Sequence, residues 1–209
     1  MKPIIYFTLL IILSSCNPDK DKVKKSETSN TEIDVSEIAL EYGDIISKET
    51  KKILGSNLIK AVDEGGVSYA IEFCNLKAYP LVDSLEKKFN ARIKRASHRS
   101  RNPNDIPTDH EAKIIAEYQI MLDEGKVGDP KVDYIDDNTL IYIKPIILDN
   151  QVCLNCHGIP GDQILQENLD LIKKLYPEDN AVGFNIGELR GIWSITFKKD
   201  QLLESNRSN

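Results

Sequence analysis

The sequence predicts an α+β domain with an antiparallel sheet. Three observations predict it: apolar residues recur at helical spacing through the first half, the period shifts to alternation at Ala91, and residues 132–147 carry a hairpin pattern. Helices first, then strands interleaved with helices, favour antiparallel pairing over a repeating βαβ design, and no Gly-rich phosphate loop is present. The chain has 209 residues, 41% hydrophobic and 29% charged, a balance that suits one globular domain with a real core. Its formal net charge of -6 leaves nothing to neutralise a phosphate backbone, which excludes nucleic acid as a partner.

Taken in order, residues 1–15 read as an export signal: Lys2 precedes the apolar run Ile4 to Leu13. That run is too short to cross a bilayer, which takes roughly 20 apolar residues. Leu13-Ser14-Ser15-Cys16 resembles the bacterial lipobox, whose cysteine is lipidated. A disulfide is the competing role for Cys16, but its place after an apolar run and two small residues favours an anchor. The anchor would hold the protein on the periplasmic face of a bacterial membrane. Residues 16–31 are polar and lack aromatics, so they form a tether, followed by a domain over 32–200 and a C-terminal tail over 201–209.

Ile38, Tyr42, Ile45, Ile46, Ile53, Leu54, Leu58, Ile59 and Val62 place one long amphipathic helix between Ser36 and Glu64, stopped by Gly65-Gly66. A second helix carries Val67, Ala70, Ile71 and Cys74, and Pro80 is expected to open a third with Leu81, Val82, Leu85 and Phe89 on its buried face. These make an N-terminal long-helix hairpin. Alternation in Ala91 to Ser97 marks a strand, and Arg101 to Pro107 an irregular turn. Thr108 and Glu111 form a capping-box pattern opening a helix through Ile114, Ile115, Tyr118, Met121 and Leu122 that ends at Gly125. Val132 to Ile135 and Leu140 to Ile147 pair around Asp136-Asp137-Asn138. A helix follows from Gln163 to Tyr176, stopped by Pro177, and a last strand runs from Gly191 to Phe197.

Cys153-Leu154-Asn155-Cys156-His157 fits the C-x-x-C-H pattern of c-type haem attachment. Two thiols three positions apart can reach both vinyl groups of one porphyrin, and the adjacent imidazole then serves as proximal ligand to the iron. One covalent haem c is the cofactor this predicts. A zinc site would need a fourth ligand, and the chain offers no second pair at knuckle spacing. A thioredoxin-type pair should open a helix in a βαβ unit, whereas this one follows a hairpin and precedes Gly158-Ile159-Pro160. A structural disulfide leaves His157 unexplained.

Few residues are left to ligate the far side of the iron: His98, His110, Met121 and Cys74. Met121 shares a helical face with Ile114 and Tyr118 and reads as core, while His98 and His110 sit in polar surroundings and read as solvated. For Cys74, a buried helical thiol and an iron ligand are equally supported by the residues alone.

Glu72-Phe73-Cys74, Arg95-Ala96-Ser97 leading to Arg101-Asn102-Pro103-Asn104, the CxxCH motif, Tyr176-Pro177-Glu178-Asp179 with Ala181 and Gly183, and Leu189-Arg190-Gly191 occur in an order that resembles the Tll-like c-type haem domain family. The similarity runs from about Ser36 to Phe197, with Ala96 standing where the family more often has threonine. The resemblance implies a PAS-like periplasmic haem-sensor fold with His157 and Cys74 as the two axial ligands, and hence a low-potential six-coordinate iron. Arg92, Lys94, Arg95, Arg99 and Arg101 cluster in an otherwise acidic chain; such runs are usually solvated, but Arg95 and Arg101 are candidate propionate partners.

The function expected is a redox or diatomic-gas sensor of O2, NO or CO. No kinase or cyclase follows Phe197, so it would signal through an unidentified protein partner. A low-potential electron carrier on the membrane surface is the alternative. A peroxidase-like enzyme is the weakest reading, because Cys74 would fill the open position and no distal His/Arg pair can be assigned.

Overall fold

Asp34 starts the first helix by accepting the Ser36 backbone N–H at 2.9 Å, and from there a computed structural model describes residues 34–207. The export segment and the whole tether, Cys16 included, lie outside the described residues. Helix α1 (Val35–Phe89) is broken into two limbs by non-helical backbone at Gly65 and Gly66, where Gly66 has φ 75°, a conformation that favours glycine. The hairpin of long limbs is thus as the sequence predicts. Its division at Pro80 is not: Pro80 lies inside the second limb, which continues to Phe89. Proline there removes one hydrogen bond to the Leu76 carbonyl, and Leu76 is 67% exposed, so the limb loses that bond where water is at hand.

Four strands form one antiparallel sheet: β1 (Arg92–Ala96), β2 (Lys131–Asp136), β3 (Thr139–Ile147) and β4 (Leu189–Lys198), in the order β1-β4-β3-β2. Alternation along the strands splits the core in two. One face puts Ile93, Leu140, Tyr142, Trp193, Ile195 and Phe197 against α1 residues including Ile38, Ile46, Val82 and Leu85. The opposite face puts Ala96, Ile141, Ile143 and Ile192 under α2 (Asp109–Asp123), through Ile114, Ile115 and Tyr118. Each such side chain, once fully buried, contributes roughly 1.5–3 kcal/mol. The expected capping box closes α2: Thr108 accepts the Glu111 N–H while Glu111 accepts the Thr108 N–H.

Met121 departs from expectation. It is 40% exposed, and Leu122 instead packs on the α2 core. A 3₁₀ turn over Pro103–Asp105 fills the irregular stretch, tied to β1 by the Ser97 N–H donating to the Asp105 carbonyl at 3.0 Å. The one-turn helix α3 (Leu154–His157) carries the cysteine motif, and α4 (Gln166–Leu175) begins three residues later than predicted. Gln163 is drawn out of the helix because its side-chain carbonyl accepts the Ile159 N–H at 2.8 Å. The expected end of the domain at residue 200 falls inside a further helix, α5 (Lys199–Arg207), whose Leu202 is 3% exposed and joins the α1 core.

Candidate functional site

A cavity of about 350 Å³ opens between the two limbs of α1 and the sheet. Its walls are largely apolar, with Leu54, Leu58 and Val62 from the first limb, Val67 and Ile71 from the second and Trp193 from β4. Both size and lining suit a bound small molecule. Cys74, Cys153, Cys156 and His157 all line it, although Cys74 is separated from the motif by more than seventy positions. Of the four residues considered for the far side of an iron, Cys74 lines the cavity, while His98, His110 and Met121 do not. His98 is exposed, and His110 Nε2 lies 3.2 Å from Asp133.

His157 is oriented by the chain around it. Its Nδ1 lies 2.7 Å from the Ala181 carbonyl, which can only accept, so Nδ1 carries the proton and Nε2 keeps its lone pair. Burial, then Arg101 and Arg190, hold the imidazole well below its usual value of 6.5, so the ring is neutral at physiological pH. The backbone reinforces this placement: Phe184 N–H donates to the His157 carbonyl at 2.9 Å and Gly183 N–H to the Gly158 carbonyl at 2.6 Å. Residues 181–184 therefore form a strap across the end of the motif. The Phe184 ring meets His157 edge-on, with centroids 6.3 Å apart, and is itself covered by the Arg99 guanidinium at 3.7 Å.

The thiols are uncharged in this setting. Burial pushes Cys156 up to about 11 and raises Cys153 as well. Cys74 is also raised by burial, but the positive charges of Arg95 and Arg101 pull the other way and favour its thiolate.

The basic run divides on inspection. Arg92 is exposed, and Lys94 points to the opposite sheet face, where it pairs with Glu111 at 2.8 Å. Arg95 and Arg101 both line the cavity. Arg101 already has most of its fork engaged: Nε donates to Asp179 at 3.0 Å, and Nη2 donates to the carbonyls of Cys156 at 2.6 Å and Ala181 at 3.3 Å. Arg99 instead holds the strap, through the Val182 carbonyl.

Sequence reasoning gave no role to Arg190, Tyr79 or Asp105, which also line the cavity. The Tyr79 hydroxyl donates to the Asp105 carboxylate at 3.0 Å, and burial raises the Asp105 pKa. Arg190 donates to Ser97 Oγ at 2.7 Å and to the Arg99 carbonyl at 3.0 Å. Its only signal in the sequence was its place in Leu189-Arg190-Gly191. Gly191, at φ 155°, lets β4 approach β1 so closely that a Cβ would overlap the Ala96 carbonyl oxygen.

Three thiols and a neutral imidazole around an apolar cavity are a donor set that fits a haem. Among the described residues no three His, Cys, Asp or Glu side chains gather closely enough to share one metal ion. The four donors instead surround an apolar cavity, and Gly55 on its wall would carry a Cβ that meets no atom within 4 Å.

A model of the Tll0287-like family matches residues 20–198. Among solved structures, the crystal structure of the cyanobacterial heme-protein Tll0287 is similar, with a TM-score of 0.54 at 20% sequence identity, covering 76% of this chain and 94% of that chain. At that identity the likeness is one of fold. No curated protein matches the chain significantly.

Proposed function

The chain belongs to the Tll0287-like family, and on that premise we propose that it is an exported, lipid-anchored protein holding one covalent haem c, which senses redox state or a diatomic gas through a protein partner. The reading is carried by one observation: a single apolar cavity gathers the two thiols and imidazole of CxxCH together with Cys74 from a distant helix. Cys153 and Cys156 would hold the haem through two thioether bonds. His157 Nε2 and the Cys74 sulfur would ligate its iron. When bound, the haem supplies a one-electron iron couple whose potential the axial ligands set.

Each residue then has a defined task. The Ala181 carbonyl fixes the His157 tautomer so that Nε2 faces the cavity. Burial raises the Cys74 pKa and the charges of Arg95 and Arg101 offset part of that rise; a thiolate ligand there would stabilise oxidised iron and give a low potential. Arg95 also answers a propionate; Arg101 has less to offer one, with Nε and Nη2 engaged. Apolar residues from both limbs of α1 would pack on the faces of the group. A peroxidase-like enzyme is the least supported reading, since Cys74 would fill the position a peroxide needs and no distal His/Arg pair is assigned.

A surface electron carrier is the second reading, favoured by protein ligands being at hand for both axial positions, which allows electron exchange without ligand change. Sensor and carrier alike require the covalent group. Protein matured in a host with a cytochrome c assembly system, then extracted with acid-acetone, should keep a c-type pyridine haemochrome spectrum and a mass increased by one haem. Mature protein without that added mass would overturn the proposal.

A further inference from the structure

We propose that Arg101 is a positioning residue that sets how strongly His157 donates to the iron, acting through the Ala181 carbonyl; this rests on the reading of His157 as an axial ligand. The Ala181 oxygen accepts from two donors, His157 Nδ1–H at 2.7 Å and Arg101 Nη2 at 3.3 Å. A carbonyl that already faces a guanidinium pulls less strongly on the imidazole proton. An imidazole whose Nδ1 proton is drawn away less strongly by its acceptor is a weaker base at Nε2, and a weaker base favours the reduced metal. Through Ala181 and His157, Arg101 therefore lifts the potential, an effect opposite in sign to the support its charge lends the Cys74 thiolate and separated from it by the Nδ1 proton.

This arginine is built into the site and is not a solvated charge. Its side chain is 14% exposed and that of its partner Asp179 only 5%. Asp179 Oδ1 accepts both Arg101 Nε–H at 3.0 Å and the Ala181 N–H at 3.0 Å, so one carboxylate ties the guanidinium to the residue whose carbonyl it must reach. The third tie, from Nη2 to the Cys156 carbonyl at 2.6 Å, anchors the same fork to the attachment motif. Four residues that are scattered in sequence, Arg101, Cys156, Asp179 and Ala181, thus close around the back of one imidazole.

The test is a potentiometric titration of holoprotein, paired with NMR of the His157 Nδ1 proton in reduced protein under CO. Arg101→Gln should lower the midpoint potential and move the Nδ1 proton downfield, while Arg101→Lys, which keeps the charge without the fork, should fall between the two. Asp179→Ala separates the proposal from simple charge. Removing a nearby carboxylate would by Coulomb attraction alone raise the potential, whereas releasing Arg101 from Ala181 should lower it. A raised potential in Asp179→Ala, or an unmoved Nδ1 proton in Arg101→Gln, would overturn the assignment. Wild-type protein that matures without haem sinks the proposed function; haem-loaded variants with wild-type potentials sink this inference alone.

Discussion

In the proposed haem site, Cys74 is the residue on which the electronic character turns. It projects from the second limb of α1 into the cavity, beside arginines that favour its ionised form. Replacing it with serine exchanges a soft, strongly donating sulfur for a weak neutral oxygen. Cys74→Ser should therefore shift the Soret band and raise the midpoint potential, and an unchanged spectrum and potential would remove Cys74 from the iron. On the other face of the sheet, Glu111 and Lys94 form a buried pair, with side chains 5% and 18% exposed. Burial opposes ionisation of Glu111, yet hydrogen bonds from Lys94, Ser194 and the Thr108 backbone together hold its carboxyl below the ordinary value of 4.5. A carboxyl with a lowered folded pKa adds stability that is complete above its unfolded value and vanishes as pH falls through its folded one. Thermal stability should therefore drop on acidification below about pH 4.5. Lys94→Met should cost about 3–5 kcal/mol at neutral pH by stranding a buried carboxylate. That variant should lose less than wild type when acidified, and parallel losses in the two proteins would refute the pairing.

The first limb of α1 carries two glycines with opposite duties. Gly43 crosses β3 where a Cβ would overlap the Tyr142 ring, so the helix can approach the sheet only without a side chain. Gly43→Ala should destabilise the protein by about 1–3 kcal/mol in chemical denaturation, with or without haem. Gly55 faces open space at the cavity wall. Gly55→Leu should leave the apoprotein as stable as wild type yet lower the fraction loaded with haem, and a fully loaded variant would show that this wall is not the binding surface. Local elements were legible wherever the signal was local. The Gly65-Gly66 break, the Thr108–Glu111 cap and the hairpin follow from residues within a few positions of one another. Pro80 misled because a helix can run through a proline where an exposed turn tolerates the lost bond. Helix α5 was passed over because its reason for folding is distant, in Leu202 packing against α1. Arg101 was picked out by charge but not by task, since Asp179 and the Cys156 and Ala181 carbonyls that hold it lie 55 to 80 positions away.

At the scale of the molecule, the cavity is a joint between the sheet and both limbs of α1. Cys74 belongs to the helical hairpin, whereas His157 belongs to α3 and is strapped by residues 181–184. An iron held between them would tie the hairpin to the remainder of the domain, and losing the sulfur would release that tie while leaving the thioethers and the imidazole in place. On the sensor reading this asymmetry matters: the proposed ligand His157 is held by backbone hydrogen bonds, whereas Cys74 sits on a limb set off by the Gly65-Gly66 break. It also distinguishes a sensor from a carrier. CO or NO added to reduced protein should displace Cys74, shift the Soret band and increase amide hydrogen exchange along the second limb around Cys74, with little change across residues 181–184. If neither gas alters the spectrum, and electrons exchange rapidly with a partner cytochrome while both ligands stay bound, the hairpin is a fixed wall and the protein is a carrier.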